Sequence, residues 1–484
     1  MSLFDEYVRH QTRRKFLSRA ANAAGWATLA SIVPHKVFGQ EPSGAPAGPG
    51  PHFPPSARQV IYLHMVGGPS QMDLYDYKPV MNEWYDKDLP DSVRMGQRLT
   101  TMTSGQKRFP VAPSKFSFAR QGRCGMWVTE LLPWTSKIAD DLCFIRSMHT
   151  EAINHEPAIS YIQTGNQVTG RPCLGSWASY GLGSLNDDLP SFVVLVARPS
   201  NTEQIQAISA RLWSAGYLSG EHAGVSFRSG GDPILYINNP PGVTTDVRRR
   251  TLDGLRALNE IAYRSVGDPE THTRIQQFEL AFRMQASVPE LTDLSREPAS
   301  TLALYGDDVR KPGSFTHTAL LARRLVERGV RFVQVYLNNW DHHANLVGRL
   351  PSQCKDIDQA TYALITDLKQ RGLFDSTLVI WGGEFGRTIY SQGGLSKENY
   401  GRDHHPRCFT MWMAGGGTKG GTIYGETDDF SYNIVKDPVH IHDLHATVLK
   451  LLGFDHERFS VKYQGLDQRL TGVEPCRVIE ELLA

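Results

Sequence analysis

Five short segments of this 484-residue chain gather the side chains that bind metal ions and handle anions. They are Ser70 and Asp73; Asn154, His155 and Glu156; Asp341, His342 and His343; Glu384 and Arg387; and Asp403, His404 and His405. Carboxylates and imidazoles brought together from the ends of different strands are what a divalent cation needs. The guanidinium of Arg387 is a planar fork that suits the oxygens of a phosphate or sulfate ester. A single Asp after a strand is ordinarily a cap or turn residue. Paired histidines on two separate loops are less ordinary and predict one shared metal or anion site. Neighbouring residues alternate faces, so only one histidine of 342/343 and one of 404/405 would enter it. His440, His442 and His445 lie near a helix start, where surface or capping roles are expected.

The elements that must position these groups follow from the apolar pattern. Buried strands are expected over 58–65, 142–147, 192–196, 330–337, 378–381 and 409–414. The first runs directly into Gly67-Gly68-Pro69-Ser70. A strand ending in such a turn is how open α/β sheets build ligand sites. Helices are expected over 157–163, 316–328, 357–371 and 441–452, with Pro157 favouring a first turn and Gly453 closing the last helix. The charged stretch 244–297 reads as a helical insertion or flank. Strands alternating with helices predict an α/β sheet covered on both faces.

The N-terminus reads as an address. Thr12-Arg13-Arg14-Lys15-Phe16-Leu17 has the paired arginines of a twin-arginine export signal. The mildly apolar run that follows is too short and too rich in Ala, Gly and Ser to span a membrane. A signal peptide over 1–39, a Gly/Pro/Ser-rich linker over 40–57 and one domain over 58–484 are expected. Export implies a periplasmic or extracellular protein, crossing folded with any metal already in place. Loss of 1–39 would lower the formal charge from +1 to about −3. With 51 basic and 50 acidic residues the chain lacks the basic excess of a nucleic-acid binder. No other segment has the apolar length of a transmembrane helix. The six cysteines form no CxxC pair, so buried thiols are expected, with one or two disulfides open to an exported protein. The aromatic residues read as core.

These segments resemble the alkaline-phosphatase-like superfamily, and within it a twin-arginine-exported, sulfatase-like branch. The segments that carry the resemblance are Gly67 to Asp73, Asn154-His155-Glu156-Pro157 through Thr164-Gly165, Trp340 to His343, Gly382 to Arg387, and Asp443 to Leu449 before Leu452-Gly453. The resemblance implies a mixed, mostly parallel sheet sandwiched between helices, with the site at the strand ends. It implies that Asp73, Asp341, His343, Glu384 and His404 or His405 hold a divalent metal (zinc, manganese or calcium). It also exposes departures. His155 stands where such proteins carry the Cys or Ser nucleophile, Ile159 where they carry an Arg, and Phe385 where a metal-binding His is expected. Thr150 is the nearest hydroxyl that would substitute.

The function expected on these grounds is metal-dependent hydrolysis of sulfate or phosphate esters, with a small-molecule or polysaccharide ester as substrate. His155 would be nucleophile or acid/base, and Arg387 would bind the ester oxygens. The alternative is an exported protein of the same fold that has lost turnover and binds an anionic polysaccharide or a protein partner in the cell envelope.

Overall fold

Unbroken runs of β-branched and aromatic residues make strands that need cover on both faces. QVIYLHM, FVQVYL and TLVIWG are buried along their whole length. The computed structural model describes residues 49–202, 208–228, 233, 234, 237–396 and 398–484. The export segment expected at 1–39 and the linker as far as residue 48 lie outside the described residues. Residues 51–57 run against the end of the last long helix. His52 N and Phe53 N donate to Gly453 O (2.8 and 3.2 Å), and Ala57 N donates to Leu451 O (2.9 Å).

In chain order, the elements that build the site and its frame are β1 (Gln59–Met65), α1 (Gln71–Leu74), β2 (Leu142–His149), α2 (His155–Thr164), α3 (Leu174–Leu182), β3 (Phe192–Ala197), β4 (Val225–Phe227), α4 (Thr245–Val266), α5 (Pro269–Thr292), α6 (Phe315–Glu327), β5 (Phe332–Leu337), α7 (Leu346–Gln370), β6 (Thr377–Gly382), β7 (Gly386–Arg387), β8 (His404–His405), β9 (Phe409–Ala414), β10 (Ile423–Tyr424), β11 (Val439–His440) and α8 (Ile441–Leu451). A nine-stranded sheet has the order β10-β2-β9-β6-β1-β5-β3-β4, and β11 also pairs with β2. Every pairing is parallel except the two made by β9, which runs against β2 and β6. This is the expected mixed, mostly parallel α/β sheet.

Side chains alternate across β1 and feed two cores. Ile61, Leu63 and Met65 join the core that α6 and α7 cover. Val60 and Tyr62 join the core that α3 and α8 cover on the other face. In register, Ile61 lies between Val333 of β5 and Val379 of β6. Because β6, β1 and β5 are parallel neighbours, their C-terminal ends emerge side by side at one sheet edge. That places the turns after Met65, Leu337 and Gly382 next to one another. The insertion expected over 244–297 is the helical pair α4 and α5, tied by Arg249 to Glu279 (2.8 and 2.6 Å).

Two boundaries differ from expectation. α2 starts at His155, not Pro157, so His155 sits in the first helical turn. α7 starts at Leu346 and contains Pro351, whereas the sequence predicted a start at 357. Leu346, Leu350, Cys354, Ile357 and Leu364 repeat at helical spacing, and all are buried. Burial of that stripe outweighs the lost hydrogen bond at Pro351.

Candidate metal centre

The turn after β1 brings two distant loops into contact. Gly67 has φ +118°, and a Cβ built there would lie 2.4 Å from Asp341 N and 2.7 Å from Trp340 C. Only glycine allows the Asp341 loop to lie this close. Gly67 N also donates to Glu384 Oε1 (2.9 Å), and Gly67 O accepts from Arg387 Nη2. Gly67→Ala is therefore expected to destabilise the fold by at least about 1–3 kcal/mol, since a strained φ and a backbone collision both oppose it. A denaturant titration against wild type reads this out.

Four side chains from three segments converge beside that glycine: His155 from α2, Asp341 and His343 from the loop after β5, and His404 from β8. His155, Asp341, His343 and His404 present ligand-capable atoms that all lie within 4.8 Å of one another. Asp341 Oδ1 is 2.8 Å from His343 Nε2 and 3.4 Å from His404 Nε2, and Oδ2 is 3.2 Å from His155 Nε2. His343 Nε2 and His404 Nε2 are 3.1 Å apart. The outward nitrogens are each held by an acceptor. His155 Nδ1 is 2.6 Å from Glu384 Oε1, His343 Nδ1 is 2.5 Å from Gln392 Oε1, and His404 Nδ1 is 2.8 Å from Ile153 O. A carboxylate, an amide oxygen and a carbonyl can only accept, so each imidazole places its proton on Nδ1. All three Nε2 atoms then face inward, those of His343 and His404 face each other, and that of His155, beside Asp341 Oδ2, carries a second proton that must leave before it can ligate. Buried His155 Nε2 has no hydrogen-bond partner of acceptable geometry.

The charges agree with this arrangement. Burial raises the Asp341 pKa, but contacts with His155, His343, His404 and Arg387 outweigh it and hold the carboxyl well below its ordinary range. Glu384 is fully buried, yet His155 and His64 hold it ionised. Burial also opposes charge on His155, but the carboxylates of Asp341 and Glu384 raise its pKa to about 9. Burial lowers the pKa of His404. Asp341 thus answers Arg387 and Glu384 answers the charged His155, and the negative charge that would suit a cation appears once His155 gives up its proton.

The donors fit a metal. Three imidazole nitrogens and one carboxylate suit zinc and similar ions, and ligands about 2.1 Å from one tetrahedral ion stand roughly 3.4 Å apart. The partners on Nδ1 are the outer contacts that fix metal-binding histidines.

Other expected site residues sit elsewhere. Asp73 lies outside the converging set as a fully buried partner of Arg402: Arg402 Nε donates to its Oδ2 (2.7 Å), and Ser70 Oγ and Tyr400 OH donate to it at 2.6 and 3.1 Å. Glu384 stands behind His155 as its acceptor, outside the converging set. His404 pairs with Arg387 across β7 and β8, so His405 points to the opposite face. There His405 Nε2 donates to Tyr432 O (2.7 Å), its ring stacks on Tyr432 at 4.2 Å, and burial lowers its pKa to about 4. His342 is buried, with its pKa lowered to about 3 by burial. Arg387 is 1% exposed, and its guanidinium is committed to Gly67 O, Gly68 O, Arg402 O and Asp341, so it braces the loops instead of presenting a fork to substrate. The Thr150 hydroxyl accepts from Ala152 N (3.4 Å). His440 caps α8 through Nδ1, and His442 and His445 donate to Gly165 O and Ile162 O. The six cysteines are free, four of them buried.

Gln392, Ile153 O, His64 and Arg402 did not stand out in the sequence. Gln392 and Arg402 lie in polar loops with no periodic pattern, and Ile153 contributes a backbone atom. His64 was visible only as part of an apolar strand, although a buried histidine there signals a buried partner.

Solved structures similar to the chain include the PsFucS1 sulfatase from Pseudoalteromonas sp. (12% identity, 83% of this chain and 68% of that one, TM-score 0.31). They also include the alkaline phosphatase from the Antarctic bacterium TAB5 (10% identity, 83% and 99%, TM-score 0.32). A third is the lipoteichoic acid synthase LtaP from Listeria monocytogenes (8% identity, 87% and 75%, TM-score 0.32). No curated protein matches the chain by sequence. Among the described residues no helix is long and apolar enough to cross a membrane. Residues 57–483 match the model of a family described as "Protein of unknown function (DUF1501)", and the chain belongs to that family.

Proposed function

We propose that this chain is an exported, metal-dependent hydrolase of sulfate or phosphate esters, sulfatase-like in fold but without a Cys or Ser nucleophile. One observation carries the reading: three imidazoles whose Nδ1 atoms are each held by an outward acceptor turn their Nε2 atoms onto one carboxylate. His155, Asp341, His343 and His404 would hold a single divalent ion, and the nitrogen-rich set favours zinc over manganese and calcium. Such an ion supplies Lewis-acid polarisation of an ester oxygen. Glu384 keeps the His155 ring oriented and its Nδ1 protonated, while Gln392 and Ile153 O do the same for His343 and His404. Arg387 holds Asp341 in place. The paired arginines at 13 and 14 support delivery to the periplasm or beyond through the twin-arginine route.

One observation favours a second reading. His155 occupies the expected nucleophile position yet is committed to Glu384 and Asp341, and Arg387 is spent internally. A metal-bearing envelope protein that binds an anionic polysaccharide or a protein partner without turnover would show the same arrangement.

The test strips the full-length protein with chelator and titrates zinc at about pH 6 and about pH 8.5. 4-Nitrophenyl sulfate and 4-nitrophenyl phosphate are then offered to the metal-free and loaded forms. One equivalent of zinc is expected to bind. His155 must lose its Nε2 proton to ligate, and that proton is held up to about pH 9. Affinity should therefore rise across this range, by about tenfold per pH unit for each proton released. Turnover that appears only in the loaded form supports the hydrolase. Zinc uptake without turnover of either ester moves the conclusion to the binding protein, and no zinc uptake removes both.

A further inference from the structure

A cleft of about 170 Å³ opens beside His155 and has no part in the reading above. Val66, Ile159 and Leu212 contribute to its walls, and all three are less than 8% exposed. His155 and Ile159 are four residues apart on α2, so both lie on the face that borders the cleft. Val66 follows β1 directly and precedes the Gly67 turn. Arg211 and Glu156 also line the cleft. Their side chains are 63% and 68% exposed and pair at 3.4 Å. Ile208 adds to the apolar wall, Thr169, Ser209 and Asn338 add polar groups, and the Arg211–Glu156 pair is exposed.

We infer that this cleft receives the apolar part of the substrate, an aryl or branched-alkyl group joined to the anionic head bound at the metal centre. The inference rests on the proposed reading of that centre as one that binds an anionic ester. The size agrees: an apolar cavity of roughly 150 Å³ accepts a benzene ring. The chemistry agrees as well. Sugar hydroxyls set against Val66, Ile159, Ile208 and Leu212 would lack partners, which costs binding energy, and only Thr169, Ser209 and Asn338 offer polar side chains besides His155 and the charged pair. A phenyl or tert-butyl group loses no hydrogen bond there. The substrate class selected is a small aryl or branched-alkyl ester, in preference to a polysaccharide chain.

The test titrates the zinc-loaded full chain with phenylphosphonate and methylphosphonate, and the chain with and without zinc with phenol. The phosphonates share an anionic head and differ in the group the cleft would hold; phenol probes the cleft without the head. Phenylphosphonate is expected to bind about tenfold or more tighter than methylphosphonate, the effect of burying one ring. Phenol is expected to bind, weakly, in both forms. Ile159→Trp and Leu212→Phe fill the cleft from two different segments of the chain. Each should bring the two phosphonates within about twofold of each other and abolish phenol binding, with zinc content at the wild-type level as evidence of folding. Equal binding of the two phosphonates to wild type, a preference that survives both fillings, or the absence of phenol binding would overturn the inference while leaving the metal centre standing. A wild-type chain that binds phenol but takes up no zinc would remove the metal reading and keep the cleft.

Discussion

Asp341→Ala is expected to empty the metal centre. Asp341 is the one carboxylate among the four converging side chains, and it touches all three imidazoles at 2.8–3.4 Å. Without it, three neutral nitrogens would share the ion with no first-contact negative charge, beside a buried Arg387 that has lost its partner. Removing an outer partner of a metal ligand costs roughly 10–100-fold in affinity, and removing a charged ligand should cost more. Metal content measured on protein purified without added metal should fall from near one equivalent to trace. Any ester turnover should fall by about a thousandfold, the several kcal/mol that a Lewis acid contributes. Glu384→Gln supplies the contrast. It keeps an oxygen acceptor for His155 Nδ1 and removes only the charge, so metal should be retained with affinity lowered within the 10–100-fold range. If Asp341→Ala leaves both metal content and turnover unchanged, the assignment of the centre is wrong. If Glu384→Gln empties the site as fully as Asp341→Ala, then Glu384 is itself a ligand.

How much of this was legible depends on whether the information was local. The strands that carry the site were readable, because each is a short apolar run bounded by glycine, proline or polar residues. β9 falls on 409–414 as the pattern implies, and β1, β5 and β6 lie within two residues of expectation. Strict face alternation foretold that one histidine of each pair could enter, but not which. That choice is made by the antiparallel register of β7 with β8, which sets His404 opposite Arg387. The geometry commits two of the expected site residues to other partners. Asp73 lies at the right strand end, but a guanidinium 329 positions away occupies its carboxylate. Arg387 has the right fork, but carbonyls from residues 67, 68 and 402 use it. The Asp73–Arg402 pair and the contacts of Arg387 with residues 67 and 68 each span more than 300 residues, which no local pattern in a single sequence encodes. The N-terminal extension of α7 was hidden for the opposite reason: Gly348 and Pro351 are local breakers, and a buried stripe elsewhere on the same helix overrides them.

The second large effect concerns stability, and it separates a structural carboxylate from a ligand. Asp73 and Arg402 are both fully buried. Arg402 donates to both Asp73 oxygens (Nε 2.7 Å, Nη2 3.4 Å), to Thr388 O (3.0 Å) and to Ala112 O (2.8 Å), and it lies 4.7 Å from the Tyr400 ring centroid. Asp73 in turn accepts from Ser70 and Tyr400. The network therefore ties α1 to the strand that delivers His404. Asp73→Ala would leave a guanidinium in the interior without its counter-charge and strip the acceptor from two hydroxyls. Breaking one side of a buried pair costs about 3–5 kcal/mol, a large share of the 5–15 kcal/mol that a folded domain has in total. Equilibrium denaturation should show a loss of that size, or faster thermal inactivation where unfolding is irreversible. Asp73→Asn, which keeps an oxygen acceptor and removes the charge, should lose less. Zinc bound per folded molecule should stay near the wild-type value in both variants, because His155, Asp341, His343 and His404 remain. Full stability together with lost zinc would reverse the assignment and return Asp73 to the metal.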